Sequence, residues 1–161
     1  MDADVKEHPT AVMGFARKGG EGYFEAVPSA ASEARRWVGA YLQSVYRVHT
    51  RASADAVDDS RLAVTELVTN ARREPTLFTL NGEPAVCVRV VECETVYRVE
   101  VYDGNPTPPP EVPECASETS TAGRGLFLVD AFVAERGCDP YTHPKTGRRG
   151  KCVWFTVPRG E

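Results

Sequence analysis

The apolar positions along this chain change their period twice. From Ser29 to Leu42 they fall at helical spacing, with Ala30, Ala34, Trp37, Val38 and Tyr41 on one face. Pro28 and Ser29 stand just before that run and suit a helix start, with Ser29 as N-cap. A polar stretch, "RASADAVDD", then leads to a second helical run, "RLAVTELVTNARREP". Its N-cap is expected at Asp58, Asp59 or Ser60. At 100° per residue, Ala63, Val64, Leu67, Val68 and Ala71 form its buried stripe. Pro75 removes a helix donor and disfavours helix at Glu74, so this helix should end early.

After Pro75 the period becomes two. "AVCVRVV" and "VYRVEVYD" are rich in β-branched residues. Val86, Val88 and Val90 share one face of the first; Tyr97, Val99, Val101 and Asp103 share one face of the second. "ECET" is the hairpin loop between them. "GYFEAVP" reads as a short strand after a glycine-rich, charged arm. "GNPTPPPEVPECASETSTAG" has few large apolar side chains and reads as a long mobile loop. "GRGLFLVDAFVAERG" reads as a helix opened by glycines. "CDPYTH" and "KCVWFTVP" close the chain as a strand pair around "PKTG". No repeat is visible, and helices and strands lack regular βαβ alternation. The fold class expected is α+β, a two-layer α/β sandwich with a mixed, mostly antiparallel sheet and helices on one face.

Composition narrows the function classes. The 161 residues suit one domain with a substantial core. A net charge of -4, with no long basic run, argues against direct nucleic-acid binding. No apolar stretch could span a bilayer, and the acidic start "MDADVKEHPT" does not read as a signal peptide, so a cytoplasmic location is expected. Cys87, Cys93, Cys115, Cys138 and Cys152 are odd in number and contain no C-x-x-C pair, which suggests reduced thiols. His8, His49 and His143 fall in polar, loop-like settings and read as solvated surface residues rather than a metal site.

Three features carry candidate chemistry. Glu66 and Asn70 are one helical turn apart, stacked along an edge of the buried stripe, with Arg73 near the same side. A carboxylate and an amide at the border of a core need partners or solvent. Asp103 ends a strand and points toward the core layer. It is either the first residue of an Asp-Gly turn or an acceptor for a donor such as the exocyclic amine of a base. Gly123, Arg124 and Gly125 precede an apolar helix, whose exposed amides would favour phosphate. The proline-rich segment before them sits where a lid over a nucleotide would sit.

Taken in order, E-L-V-T-N, D-G-N-P, a variable loop, G-R-G-L and G-K-C-V-W-F resemble the motifs of the histidine-kinase-like ATPase superfamily. The small bacterial anti-sigma factor serine/threonine kinases, particularly actinobacterial members, are the nearest type. The resemblance runs from Tyr23 to Pro158. It implies a Bergerat-type ATP-binding domain over 23–158, a flexible arm over 1–22, a lid at about 104–122 and a tail over 159–161. It implies Glu66 as general base and Asn70 as the Mg²⁺ ligand. It implies Asp103 as acceptor for the adenine amine. Arg73, Asn105, Gly123, Arg124, Gly125 and Leu126 complete the implied ATP site. The implied partners are a small anti-sigma factor antagonist protein, a sigma factor, or both, and homodimers are common in the group. A two-component histidine kinase is a poorer reading, because no helical hairpin with a phosphorylatable His is expected before Tyr23.

The chain also departs from that pattern. Asn105 and Thr107 stand where glycines are usual, and Asn105 is expected to keep the turn by tolerating positive φ. Glu74 and Pro75 follow the first motif where relatives continue the helix. Cys152 is expected at the position of a supporting threonine, and the lid segment has no Lys or Arg before Arg124. These departures open a second expectation, a non-catalytic switch protein of the same fold that regulates by binding a sigma factor or antagonist.

Overall fold

The computed structural model describes residues 18–46, 49–108 and 135–159. Strand β1 (Lys18–Glu25) is followed by helix α1 (Ala30–Val45) and helix α2 (Arg51–Ala71). Strands β2 (Phe78–Leu80), β3 (Glu83–Glu92), β4 (Val96–Asp103), β5 (Glu135–Thr142) and β6 (Arg149–Pro158) complete it. The sheet order is β1-β3-β4-β6-β5, with β2 paired to β3, and every described pairing is antiparallel. Both helices pack on one face. This is the two-layer α+β sandwich expected from the pattern of apolar residues.

The core between the layers follows from two periodicities. α1 contributes Ala30, Ala34, Val38 and Leu42, all fully buried. α2 contributes Val57, Ala63, Val64, Leu67, Val68 and Ala71. From the sheet come Val86, Val88, Val90, Val99, Val101, Phe155 and Val157, alternate residues of three neighbouring strands. Burial of this apolar surface, at roughly 25 cal/mol per Å², is the main force holding the layers together.

β1 meets the helices differently. Its helix side carries Gly20 and Gly22, and the rings of Trp37 and Tyr41 fill the space that side chains would take. A methyl group on Gly20 would lie 2.9 Å from Tyr41 Cε2 and 3.3 Å from Trp37 Cζ2. The strand thus begins at Lys18, inside the stretch read as an arm. Glycines hide the alternation that would have announced it.

α2 is longer at its start than the sequence suggested. Its N-cap is Thr50, in a capping box. Ser53 N–H donates to Thr50 Oγ1 at 3.1 Å, and Thr50 N–H donates to Ser53 Oγ at 2.9 Å. The caps expected at Asp58, Asp59 or Ser60 are therefore interior positions. Ser60 is fully buried and donates to the Ala56 carbonyl at 2.7 Å, the way a hydroxyl is accommodated inside a helix. β2 was not expected either. It forms a hairpin with β3 through Asn81 (φ 53°) and Gly82 (φ 82°), the pair of left-handed residues that a tight hairpin turn requires.

The segment read as a helix up to Gly137 differs at its end. Glu135, Arg136 and Gly137 pair with β6 as the start of β5. Residues 109–134 lie outside the described residues. His143 is buried, not solvated. Its Nδ1 accepts from the Lys145 and Thr146 amides at 3.1 and 3.2 Å, so it organises the β5–β6 turn.

The helix-start assignment is checked by stability. Thr50→Ala should cost about 1 kcal/mol in urea unfolding. Asp58→Ala, at an exposed interior position, should stay within about 0.5 kcal/mol of the parent. The reverse ranking would place the cap near Asp58 after all.

Candidate functional site

The site is built where α2 stops. Asn70 and Ala71 carbonyls accept from Arg73 and Glu74 amides at 3.2 Å each, and then Pro75 leaves no donor to continue. The Glu74 carbonyl turns outward and accepts two amides, Thr76 at 2.9 Å and Gly104 at 3.1 Å. The second bond ties the end of α2 to the end of β4. Asn70, near the helix terminus, and Asp103, the last residue of the strand, are thereby held at the same end of the sandwich.

Glycine is required on the strand side of this join. A Cβ on Gly104 would collide with the Glu74 carbonyl oxygen and Thr76 Oγ1. Arg148 Nη1 donates to the Thr76 carbonyl at 2.7 Å and fastens the β5–β6 turn to the same loop.

Asp103 is buried on the helix-facing side of β4, in line with Val99 and Val101. Its Oδ1 accepts the Asn105 amide at 2.8 Å, and Asn105 Oδ1 in turn accepts the Thr107 amide at 3.0 Å. Two side-chain-closed turns follow one another. Asn105 therefore holds the turn through its side chain. It is not at positive φ, since Asn81 is the non-glycine residue with that conformation among the described residues.

Glu66 and Asn70 lie on α2 one turn apart, both half-buried. Among the described residues neither side chain makes a hydrogen bond or ion pair. Their neighbours behave otherwise: Thr65 and Thr69 hydroxyls donate back to the Arg61 and Thr65 carbonyls, each at 2.7 Å. A carboxylate and an amide left open beside a core leave acceptor capacity for a ligand. Arg73 is exposed beyond the helix end. Gly123, Arg124, Gly125 and Leu126 lie outside the described residues, as does most of the lid.

β6 carries a residue that the motif comparison passed over. The register sets Tyr102 opposite Cys152 and Asp103 opposite Lys151. Cys152 thus faces away from the helices, in a cluster with Leu77, Phe78, Cys87, Tyr102 and Tyr141. Lys151 is the β6 side chain beside Asp103, with Nζ 3.4 Å from Asp103 Oδ2 and donating to the Asn105 carbonyl at 2.8 Å. It is found from the β4–β6 register, which no sequence pattern announces.

The donor set fits a nucleotide with its metal. Among the described residues it offers a buried acid at the sheet end and, on the adjoining helix, an acid and an amide that make no side-chain hydrogen bond, with no cluster of His, Cys, Asp or Glu that would hold a metal unaided. Residues 24–157 match the family model described as histidine kinase-like ATPase domain. The chain belongs to that family. Membership makes it an ATP-binding domain.

Among solved structures, one of the RsbU and RsbW domains of Rv1364c from Mycobacterium tuberculosis superposes with a TM-score of 0.55 at 18% identity. The match covers 87% of this chain and 32% of that one, so the chain spans about a third of its length, and the likeness shows the shared fold. No curated protein sequence matches. No helix among the described residues is long and apolar enough to cross a membrane.

The placement of the thiols is open to chemical test. Burial raises the thiol pKa of both Cys87 and Cys152, which keeps them protonated and poorly nucleophilic. Iodoacetamide at pH 8 should modify half-buried Cys93 in the native protein while sparing Cys87 and Cys152 until denaturant is added. Rapid native labelling of Cys152 that ATP prevents would put that thiol in the nucleotide site instead.

Proposed function

We propose that the protein is an ATP-dependent regulator of the anti-sigma factor type, a serine/threonine kinase acting on a small anti-sigma factor antagonist and so controlling a sigma factor. The observation that carries this reading is the Glu66–Asn70 pair, half-buried on one edge of α2 with no side-chain hydrogen bond or ion pair among the described residues. Family membership supplies ATP, and the likeness to a fold that includes an RsbW domain supports the regulatory class.

In this reading Glu66 accepts the proton of the attacking seryl or threonyl hydroxyl, and the Asn70 amide oxygen would hold Mg²⁺. Asp103 accepts from the base, and Asn105 keeps the turn beside it. Arg73 and Gly123, Arg124, Gly125 and Leu126 would hold phosphate. Bound Mg-ATP supplies the phosphoryl group and neutralises the charge that develops on transfer. The protein's contribution is then position: Pro75 and the Glu74–Gly104 bond set the helix carrying the base against the strand that holds the nucleotide.

One observation favours a second reading, a switch protein that binds without chemistry. Asp103 already receives the Asn105 amide and stands beside the Lys151 ammonium, so its carboxylate is not an empty acceptor. The two readings differ in turnover. With Mg-ATP and an antagonist protein, Glu66→Ala should lower phosphoryl transfer by roughly a hundred- to ten-thousand-fold, the usual weight of a general base, while nucleotide stays bound. Asn70→Ala and Asp103→Ala should weaken nucleotide binding itself. Full transfer by Glu66→Ala removes the base assignment. No transfer by the parent protein, with ATP bound, leaves the switch; no binding at millimolar ATP removes the nucleotide reading.

A further inference from the structure

Lys151 is a lysine buried where lysine is costly. It is 5% exposed, at the end of the core row formed by Phe155 and Val157 on β6. An ammonium taken out of water needs acceptors for its three N–H groups. Here the Asn105 carbonyl, at 2.8 Å, takes one. Asp103 Oδ2, at 3.4 Å, lies beyond the 2.7–2.9 Å usual for a charge-assisted hydrogen bond. The ammonium is therefore drawn to the backbone of the turn and stands beside the carboxylate. Among the described residues no further acceptor meets it.

The outcome is a donor and an acceptor side by side at the strand ends, both nearly dry. Their positions are fixed by the β4–β6 ladder. Gly150, immediately before Lys151, lets the two strands close, since a Cβ there would strike the Asp103 carbonyl oxygen. A side-by-side donor and acceptor is what the Watson–Crick edge of a purine can be read by. Adenine presents an amine donor next to a ring-nitrogen acceptor. Guanine in the same pose presents a carbonyl oxygen and a ring N–H, which would set an acceptor against Asp103 and a donor against Lys151.

We propose that Lys151 is a base-reading residue of this protein, donating to adenine N1 while Asp103 accepts from the exocyclic amine. The inference rests on the nucleotide-binding reading and adds a second contact to the same edge. It also assigns a role to the position before Cys152, whose own thiol is on the other face of the sheet.

The test is equilibrium binding of Mg-ATP and of the analogue in which adenine N1 is replaced by C–H, to the full chain and to Lys151→Met and Lys151→Arg. The parent should bind the analogue roughly tenfold or more weakly than ATP, the weight of one hydrogen bond to a charged group. Lys151→Met should bind both alike, near the weaker value, and Lys151→Arg should keep the discrimination. Equal affinity of the parent for both ligands, or discrimination that survives Lys151→Met, overturns the proposal. Should Lys151→Met fail to fold, the two titrations of the parent still decide. A parent that binds ATP without discriminating removes the Lys151 role alone. A parent that binds no ATP removes the nucleotide reading and this inference with it.

Discussion

Among the described residues, a backbone hydrogen bond from the Gly104 amide to the Glu74 carbonyl refers the end of α2 to the end of β4. Apolar burial fixes the separation of helices and sheet, but it is non-directional and would tolerate sliding. The Glu74–Gly104 bond fixes the longitudinal position of α2 over β4. Pro75 makes that bond available, because it ends the helix and keeps Glu74 from spending its carbonyl inside it. The departure from the first motif at Glu74 and Pro75 is therefore the joint between α2 and β4.

The opposite face of the sheet is organised by charge as much as by apolar contact. Glu100, fully buried on the central strand, meets Arg98 at 2.9 Å and Arg89 at 3.8 Å, and its Oε1 accepts from the Tyr102 hydroxyl at 3.0 Å. Arg98 continues to Asp139 at 3.3 Å and lies 4.3 Å from the Trp154 ring centroid. Buried ion pairs add little net stability against an apolar replacement, yet removing one partner is costly. Such a network favours one register over its one-residue slip, which would carry Glu100 into the valine layer.

Much of this was legible before the fold was known, and the reasons are local. α1 and the core stripe of α2 were visible because valines, leucines and alanines recur at helical spacing. β3 and β4 were visible because valines alternate. The first turns of α2 were not, since "RASADAVDD" buries only Val57 and its cap is a Thr–Ser pair outside the expected window. The first half of β1 was hidden because its packing surface belongs to Trp37 and Tyr41 on another element, whereas "GYFEAVP" read as strand. At the site, Glu66, Asn70 and Asp103 stood out as polar residues on apolar faces. Lys151 did not, because a lysine beside a glycine in a terminal strand reads as surface until the ladder pairs it with Asp103.

The two tryptophans lie on opposite sides of the sheet, Trp37 over the glycine floor of β1 and Trp154 beneath the Arg98 guanidinium. Each indole therefore reports on its own layer. Fluorescence of a chain with Trp154 replaced by phenylalanine would follow the helix side alone, and the converse replacement would follow the charged side. An optical signal can in this way be assigned to one surface of the molecule without any attached label.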